Sequence, residues 1–174
     1  FIGKYSFVKV CSGVLKGDDV LYNADTDAEE KPGKLYTMCG SKPSEVTELF
    51  AGDIGAIGKA GCKTGDTLST KATPIRYSKI EVSIPYTYKR YRAKNKGDED
   101  KVAQALQKIS HEDLTMKVVN DSENRQTLLY GMGDQHLEMI QSELLTKYKI
   151  EIELERPKVA FRETIRKSAD VEAK

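Results

Sequence analysis

The chain lacks the features that would mark it as a nucleotide hydrolase or a membrane protein. It has no G-x-x-x-x-G-K-[ST] phosphate loop, and residues 61–64 (Gly-Cys-Lys-Thr) lack both the earlier glycine and a strand-to-helix context. No apolar run approaches the roughly 20 residues that span a bilayer, and no secretory signal is present. We therefore expect these 174 residues neither to hydrolyse GTP nor to cross a membrane.

Cysteine is scarce and is not arranged for a metal or a disulfide framework. Cys11, Cys39 and Cys62 are odd in number and show no C-x-x-C or Cys/His spacing. This pattern argues against a zinc site and favours a reducing compartment. We expect a cytoplasmic protein without a metal site, in which the three thiols are small core residues.

The sequence also has little excess charge, with a formal net charge of +1. Any nucleic-acid footprint must therefore be local. One candidate is a group of cations without an acid among them and with Tyr86, Tyr88 and Tyr91 interleaved: Lys89, Arg90, Arg92, Lys94 and Lys96. We predict a loop whose cations neutralise RNA phosphates while its rings stack on bases. The alternative is a solvated charged loop.

Residues 1–74 show short β-rich runs separated by glycine-containing turns. The runs are 5–10, 20–22, 34–39 and 54–60. This pattern is typical of a small antiparallel barrel or sandwich. The first barrel strand would lie upstream of Phe1, and the chain does not begin with Met. We therefore expect an N-terminally truncated β-barrel excised from a longer protein.

Residues 79–156 change to a mixed rhythm of strands and helices. We predict a first strand at 79–84, a helix capped by Asp98, two strands at 115–120 and 126–130, a helix from Asp134, and a last strand at 150–154. The order β-α-β-β-α-β is the ferredoxin-like arrangement. The two apolar stripes of these helices are Val102, Leu106, Ile109 and Leu137, Ile140, Leu144, Tyr148.

The tail, residues 157–174, contains one short apolar run at 159–165. We expect a strand there without a partner in either preceding domain. The tail would then be the start of a truncated following domain. The predicted fold class is therefore α+β with two domains, an all-β barrel followed by a ferredoxin-like domain.

The segment 127–140 is the most informative stretch, since an apolar strand enters Gly131-Met132-Gly133 and a helix follows at once. Two glycines there permit positive φ or a close approach to another surface. His136 in the first helical turn faces the positive end of the helix dipole, which favours a neutral imidazole packed at an interface. A catalytic base needs an oriented partner, and the sequence shows none. The acids that end the first helix, Glu112 and Asp113, predict an outside partner or simple solvation.

Several of these segments together resemble elongation factor G and related ribosome-associated translational GTPases. Residues 3–15 and 51–68 resemble the family's second domain, a β-barrel. Residues 99–115, 131–138 and 157–165 resemble its third domain and the start of its fourth. The resemblance covers nearly the whole chain.

The resemblance implies a central part of a translation factor that acts in ribosomal translocation. GTP and Mg would then bind a separate G domain of the parent, with no cofactor in this fragment. The ribosome, with its small-subunit RNA and proteins, would be the partner. The residues expected to face the G domain and its switch are Thr115, Gly131, Met132, Gly133, Asp134, Gln135 and His136. Lys9, Lys89, Arg90, Arg92, Lys94 and Lys96 are candidate contacts to ribosomal RNA.

The chain departs from the family pattern at several positions. Lys9 stands where Arg is usual, Leu114 where Pro is usual, and Asp134-Gln135 where Glu-Leu is usual. The charged insert around 92–100 is longer and more basic than in the common factor. These changes suggest a divergent paralogue or a ribosomal protection protein of the tetracycline-resistance kind.

Two alternatives come from other classes of protein. A free-standing RNA-binding adaptor is favoured by the basic, tyrosine-containing segment. A small phosphatase of the acylphosphatase type shares the ferredoxin-like topology, with Arg90 or Arg92 in the place of its loop arginine, but only fold analogy supports it.

Overall fold

The structure is a computed structural model that describes residues 4–164 and 171–172. The chain divides into two compact units, Phe1–Glu81 and Val82–Lys174. Each unit has its own hydrophobic core.

The first unit consists of short antiparallel strands, and its described residues form no helix. The strands are β1 (Tyr5–Lys9), β2 (Val14–Lys16), β3 (Leu21–Asn23), β4 (Ala28–Glu30), β5 (Leu35–Cys39), β6 (Lys42–Val46), β7 (Glu48–Phe50), β8 (Ile54–Gly58) and β9 (Leu68–Ser69). They pair in the orders β1-β8-β5-β6, β2-β7 and β4-β3-β9. Glycine turns and short β-rich runs thus produce the barrel type of unit that the sequence predicts.

The core of this unit is small and tightly packed. Leu35, Leu49 and Ile57 are each 1% exposed. Gly55 is required beside them, since a Cβ there would lie 2.2 Å from Leu49 Cδ1. Cys62 is also buried in this core, and burial raises the pKa of its thiol.

The other two cysteines do not follow the prediction. Cys11 and Cys39 are exposed, and all three thiols are free. The expectation of core thiols is therefore right for Cys62 and wrong for Cys11 and Cys39. Cys39 is in β5 and Cys11 follows β1, and the sequence alone does not show whether a small residue at either place faces the core or the solvent.

The second unit has the ferredoxin-like element order. It consists of β10 (Thr87–Ala93), α1 (Glu99–Glu112), β11 (Lys117–Asp121), β12 (Gln126–Gly131), α2 (Asp134–Tyr148) and β13 (Ile152–Glu155). The sheet is antiparallel in the order β11-β12-β10-β13, so β12 and β10 are its central strands. The predicted fold class is confirmed.

Both helices pack on one face of this sheet. The core consists of Val102, Ala105, Leu106 and Ile109 from α1, Leu137, Ile140 and Leu144 from α2, and residues such as Leu129 and Ile152 from the sheet. These helix positions are the apolar stripes predicted from the 3.6-residue period, with Tyr148 partly buried at the end of α2. Asp98 is at the N-cap position of α1, but its side chain makes no capping hydrogen bond and pairs with Lys101 instead.

The first strand of this unit lies further along the chain than predicted. Residues 79–84 form no strand, and Ile80 and Ile84 are 84% and 83% exposed. The strand that pairs with β12 and β13 is β10, which uses both of its edges. The period-2 pattern at 79–84 therefore misled the prediction, because alternation indicates a strand only where a partner edge is available.

The segment after β13 also differs from the prediction. Residues 159–164 form no strand, and Ile165 lies outside the described residues. The segment does have a partner, since the Lys158 amide donates to Gln126 Oε1 (2.8 Å) and Gln126 Nε2 donates to the Lys158 carbonyl (2.9 Å). Because β13 is an edge strand and Gln126 lies on β12, the chain must pass across β10 between them.

Candidate functional site

The turn between β12 and α2 is fixed by a side chain from within the helix. The Met132 amide donates to His136 Nδ1 over 3.1 Å. The Leu137 amide donates to the Gly133 carbonyl over 3.2 Å. His136, in the first turn of α2, therefore folds back on the turn that precedes it.

The other nitrogen of this imidazole contacts a carboxylate from α1. His136 Nε2 lies 2.8 Å from Asp113 Oδ2, and the His136 and Asp113 side chains are only 12% and 27% exposed. Since Nδ1 accepts from Met132, the ring proton is on Nε2 and points to Asp113, so the imidazole is neutral in this arrangement. Both ring nitrogens therefore have hydrogen-bond partners within the chain.

The second oxygen of Asp113 holds Thr115, which lies in the short segment between α1 and β11. Asp113 Oδ1 accepts from the Thr115 amide at 2.7 Å and from the Thr115 hydroxyl. Partial burial raises the pKa of Asp113, but the hydrogen bonds from Thr115 and His136 outweigh it and bring the pKa below its usual value. Asp113 thus connects the end of α1, the α1–β11 connection at Thr115 and the β12–α2 turn.

This network was missed from the sequence. The acids at the end of α1 were expected to meet an outside partner or solvent, and for Asp113 this is wrong, since its partners are His136 and Thr115. The available signal was the Asp-x-Thr spacing, which favours a local turn in which the carboxylate accepts from the amide two residues on. Nothing in the sequence indicates the contact to His136, which is 23 positions away.

The two glycines of the turn have different roles. A Cβ on Gly131 would lie 2.9 Å from Leu137 Cδ2 and 3.1 Å from His136 Nδ1, whereas a Cβ on Gly133 would meet no atom within 4 Å. Neither glycine adopts positive φ in the left-handed region, and the φ of Gly133, 172°, is extended backbone. The expected positive φ is therefore wrong. The close approach is real at Gly131, but the neighbours are this chain's own side chains.

The structure brings the predicted switch-facing residues together. Thr115, Met132 and His136 are linked through the Asp113 network, Gly131 directly precedes Met132, and Asp134 and Gln135 lie beside them at the start of α2. Lys89 joins this group, because its Nζ lies 2.9 Å from Asp134 Oδ1. The space beside the Gly133 Cα is open, and the Gln135 side chain is exposed, so both positions can contact another surface.

The cationic segment is not a loop. Lys89, Arg90 and Arg92 are in strand β10, so the predicted loop is wrong. The strand also places Tyr88 and Tyr91 on opposite faces of the sheet. Tyr91 packs against the helix-side core, and burial raises its pKa. Tyr88 lies on the opposite face, because it is three positions away along the strand.

Acidic residues on β13, or just before it, form ion pairs with three of the cations. Arg90 pairs with Glu155 at 3.5 Å, Arg92 with Glu153 at 3.5 Å and also with Glu155, and Lys94 with Glu151. Among the described residues Lys9 and Lys96 have no such pair, and both are exposed. The five-cation footprint is therefore much weaker than the linear sequence suggests.

Neither a metal cluster nor a membrane-spanning helix is found in the described part of the chain. Within residues 4–164 and 171–172, no group of three or more His, Cys, Asp or Glu side chains is placed to hold a metal ion. In that same part of the chain, neither helix has the length and apolar character to cross a bilayer.

Comparison with known families gives two matches, in chain order. Residues 1–71 match elongation factor G domain 2, and residues 82–156 match elongation factor G domain III. The chain belongs to the elongation factor G family. The matched parts of this elongation factor-like chain are non-catalytic domains, and no G domain is among the matches.

A solved structure of a longer protein is similar to this chain. The crystal structure of a protein from Thermus thermophilus is 27% identical, with a TM-score of 0.78. The match covers 91% of this elongation factor G family chain and 24% of the Thermus chain. The chain therefore spans about a quarter of the length of this relative.

Proposed function

We propose that this chain is the central ribosome-binding and signal-transmitting part of an elongation factor G-like GTPase that acts in translocation in the cytoplasm. The observation that carries the proposal is the family match to domain 2 followed directly by domain III. A G domain elsewhere in the parent would bind GTP and Mg and hydrolyse GTP. The ribosome is the partner.

The Asp113 network supports a transmitting role for the ferredoxin-like unit. A contact at Met132, Gly133 or Gln135 would act on a turn that is hydrogen-bonded to α2 through His136. His136 is in turn hydrogen-bonded to the end of α1 through Asp113. A contact on this turn would therefore act on both helices and on the α1–β11 connection, which favours movement of the unit as a rigid element. Such a rigid element can have its position biased by the nucleotide state of a neighbouring domain.

Substitutions at the two glycines can distinguish a contact of this turn with an external partner from its role in folding. In the full-length parent, Gly133→Val adds a side chain where this chain leaves open space, so we expect the variant to fold and to obstruct an external partner. We expect ribosome-stimulated GTP hydrolysis to fall by about tenfold, equivalent to roughly 1.4 kcal/mol of lost contact. The measurement is GTP turnover with and without ribosomes.

Two controls make this experiment specific. Ser122→Val places the same side chain in the exposed turn at the other end of β12 and should leave turnover unchanged. Gly131→Ala forces a contact with Leu137 and should lower the unfolding free energy by about 1–3 kcal/mol. A folded Gly133→Val parent with normal ribosome-stimulated turnover would show that the turn does not contact the switch.

A further inference from the structure

The face of the ferredoxin-like sheet opposite the helices carries an aromatic pair on its two central strands. Tyr88 on β10 and Tyr130 on β12 are directly opposite in register. Their rings are stacked, with centroids 4.9 Å apart and an angle of 25° between the planes. Leu129, the neighbour of Tyr130, belongs to the helix-side core, so Tyr130 lies on the other face.

A cation extends this row across a third strand. Lys117 of β11 is in register with Tyr130, and residues opposite each other in an antiparallel pair share a face with Cβ atoms about 5 Å apart. Lys117 is exposed, and no carboxylate forms an ion pair with it among the described residues. Lys117, Tyr130 and Tyr88 therefore form a line across three adjacent strands, which we call the tyrosine row.

The tyrosine row remains accessible in this chain. Tyr88 is 43% exposed and Lys117 is exposed, whereas Tyr130 between them is partly buried. The segment after β13 reaches the sheet at Gln126, the opposite end of β12 from Tyr130. The acidic residues that neutralise Arg90 and Arg92 belong to the far edge strand, β13, and do not pair with Lys117.

We propose that the tyrosine row is a stacking site for single-stranded RNA. Exposed aromatic rings on the central strands of a four-stranded sheet stack on unpaired bases in RNA-recognition domains, and any base can stack because each has a π-face. Lys117 at the end of the row neutralises a phosphate of the bound RNA. Stacking on the two rings does not distinguish one base from another, so we expect binding without a strong sequence preference.

The site borders the turn described above. Thr87 is in register with Gly131, and Lys117 follows Thr115 and Met116 directly. RNA on the tyrosine row would therefore lie next to the segment held by Asp113. The inference rests on the proposed function for the identity of the partner, which is then an unpaired segment of ribosomal RNA.

The binding test measures the fluorescence anisotropy of a fluorescein-labelled, unstructured RNA as this 174-residue chain is added. The RNA has about 12 nucleotides, which is within the length that one single-strand binding domain covers. Tyr88→Leu and Tyr130→Leu should each weaken binding about 5- to 150-fold, while Tyr88→Phe should retain it because a phenyl ring also stacks. Lys117→Ala should reduce the salt slope by about 0.7. Lys108→Ala, in α1 on the other face, should change neither quantity.

A second measurement does not depend on the variants. Ultraviolet crosslinking of the same RNA to the unaltered chain, read by mass spectrometry, should place the nucleotide on the peptides that contain Tyr88 or Tyr130. Leucine variants that keep their helical circular dichroism and bind RNA like the original chain would overturn the proposal. Absence of saturable binding would also overturn it and identify the row as a protein-packing surface or a structural pair.

The outcome is distinguishable from that of the proposed function. Ribosome-stimulated GTP hydrolysis by the parent tests the translation role, and RNA binding by the tyrosine row tests this site. Hydrolysis without RNA binding would refute only the stacking site. RNA binding by a chain whose parent does not respond to ribosomes would refute only the translation role.

Discussion

Asp113 connects three segments of the ferredoxin-like unit through two oxygen atoms. Oδ2 lies 2.8 Å from His136 Nε2, and Oδ1 accepts from the amide and hydroxyl of Thr115. Hydrogen bonds to a charged acceptor are stronger than neutral ones. The ionised form of Asp113 is therefore the one that holds the network together.

Replacing Asp113 by Asn should remove this stabilisation in a pH-dependent way. Because the pKa of Asp113 is lower in the folded state than its usual value, its contribution is full above about pH 4 and is lost as pH falls through the folded pKa. We expect Asp113→Asn to lower the unfolding free energy by about 1 kcal/mol at pH 7. The difference should shrink as the pH falls through the folded pKa of Asp113 and disappear below it, where the carboxyl is protonated in both states. Urea unfolding at several pH values measures it.

The neighbouring acid provides the control. Glu112→Gln changes the same charge one position earlier, where the side chain is exposed and lies 3.4 Å from Lys147. Exposed pairs contribute little, so we expect a change within about 0.5 kcal/mol at either pH. A Glu112→Gln effect as large as that of Asp113→Asn would show that net charge, rather than the network, sets the stability.

At the scale of elements, the features that could be predicted from the sequence are those that depend on local periodicity. The α2 stripe Leu137, Ile140, Leu144 repeats at helical spacing over 15 residues, and the structure buries it as predicted. The first strand was misplaced, because residues 79–84 and β10 both have plausible strand patterns. Only the long-range pairing with β12 and β13 decides between them. The Asp113–His136 contact is likewise a product of tertiary packing.

The pairing of β10 with β13 has a consequence for charge. The three carboxylates that pair with Arg90, Arg92 and Lys94 lie on β13 or just before it: Glu151, Glu153 and Glu155. Replacing all three by Gln should release these cations and raise the affinity for polyanions. Each cation that then contacts a single-stranded phosphate adds about 0.7 to the salt slope. Elution from heparin should require more salt.

A triple variant with the same change in net charge is the control for this prediction. Glu48, Glu81 and Glu138 are exposed glutamates outside the cationic strand, and Gln at all three also adds three positive charges to the total. We expect a smaller shift in heparin elution, because no cation on β10 is released. Equal shifts in the two triple variants would show that total charge alone governs the binding.

At the scale of the whole molecule, each hydrophobic core takes its residues from one unit only. The buried residues of one core come from positions 10–62 of the sequence, and those of the other from positions 102–152. All helices of the described residues belong to the second unit. The helical circular dichroism signal therefore reports the second core alone, which makes the two units separable in one experiment.

Truncating one buried leucine in each core should therefore give separate effects. Leu144 is 0% exposed in the helical unit and Leu49 is 1% exposed in the β unit. We expect Leu144→Ala to lower the stability read from the helical signal by about 2–5 kcal/mol, and Leu49→Ala to leave that signal's midpoint unchanged. The β unit can be followed by hydrogen exchange of the Ile57 amide, where only Leu49→Ala should act. If Leu49→Ala shifted both midpoints equally, the chain would unfold as one cooperative body and the two cores would be thermodynamically coupled.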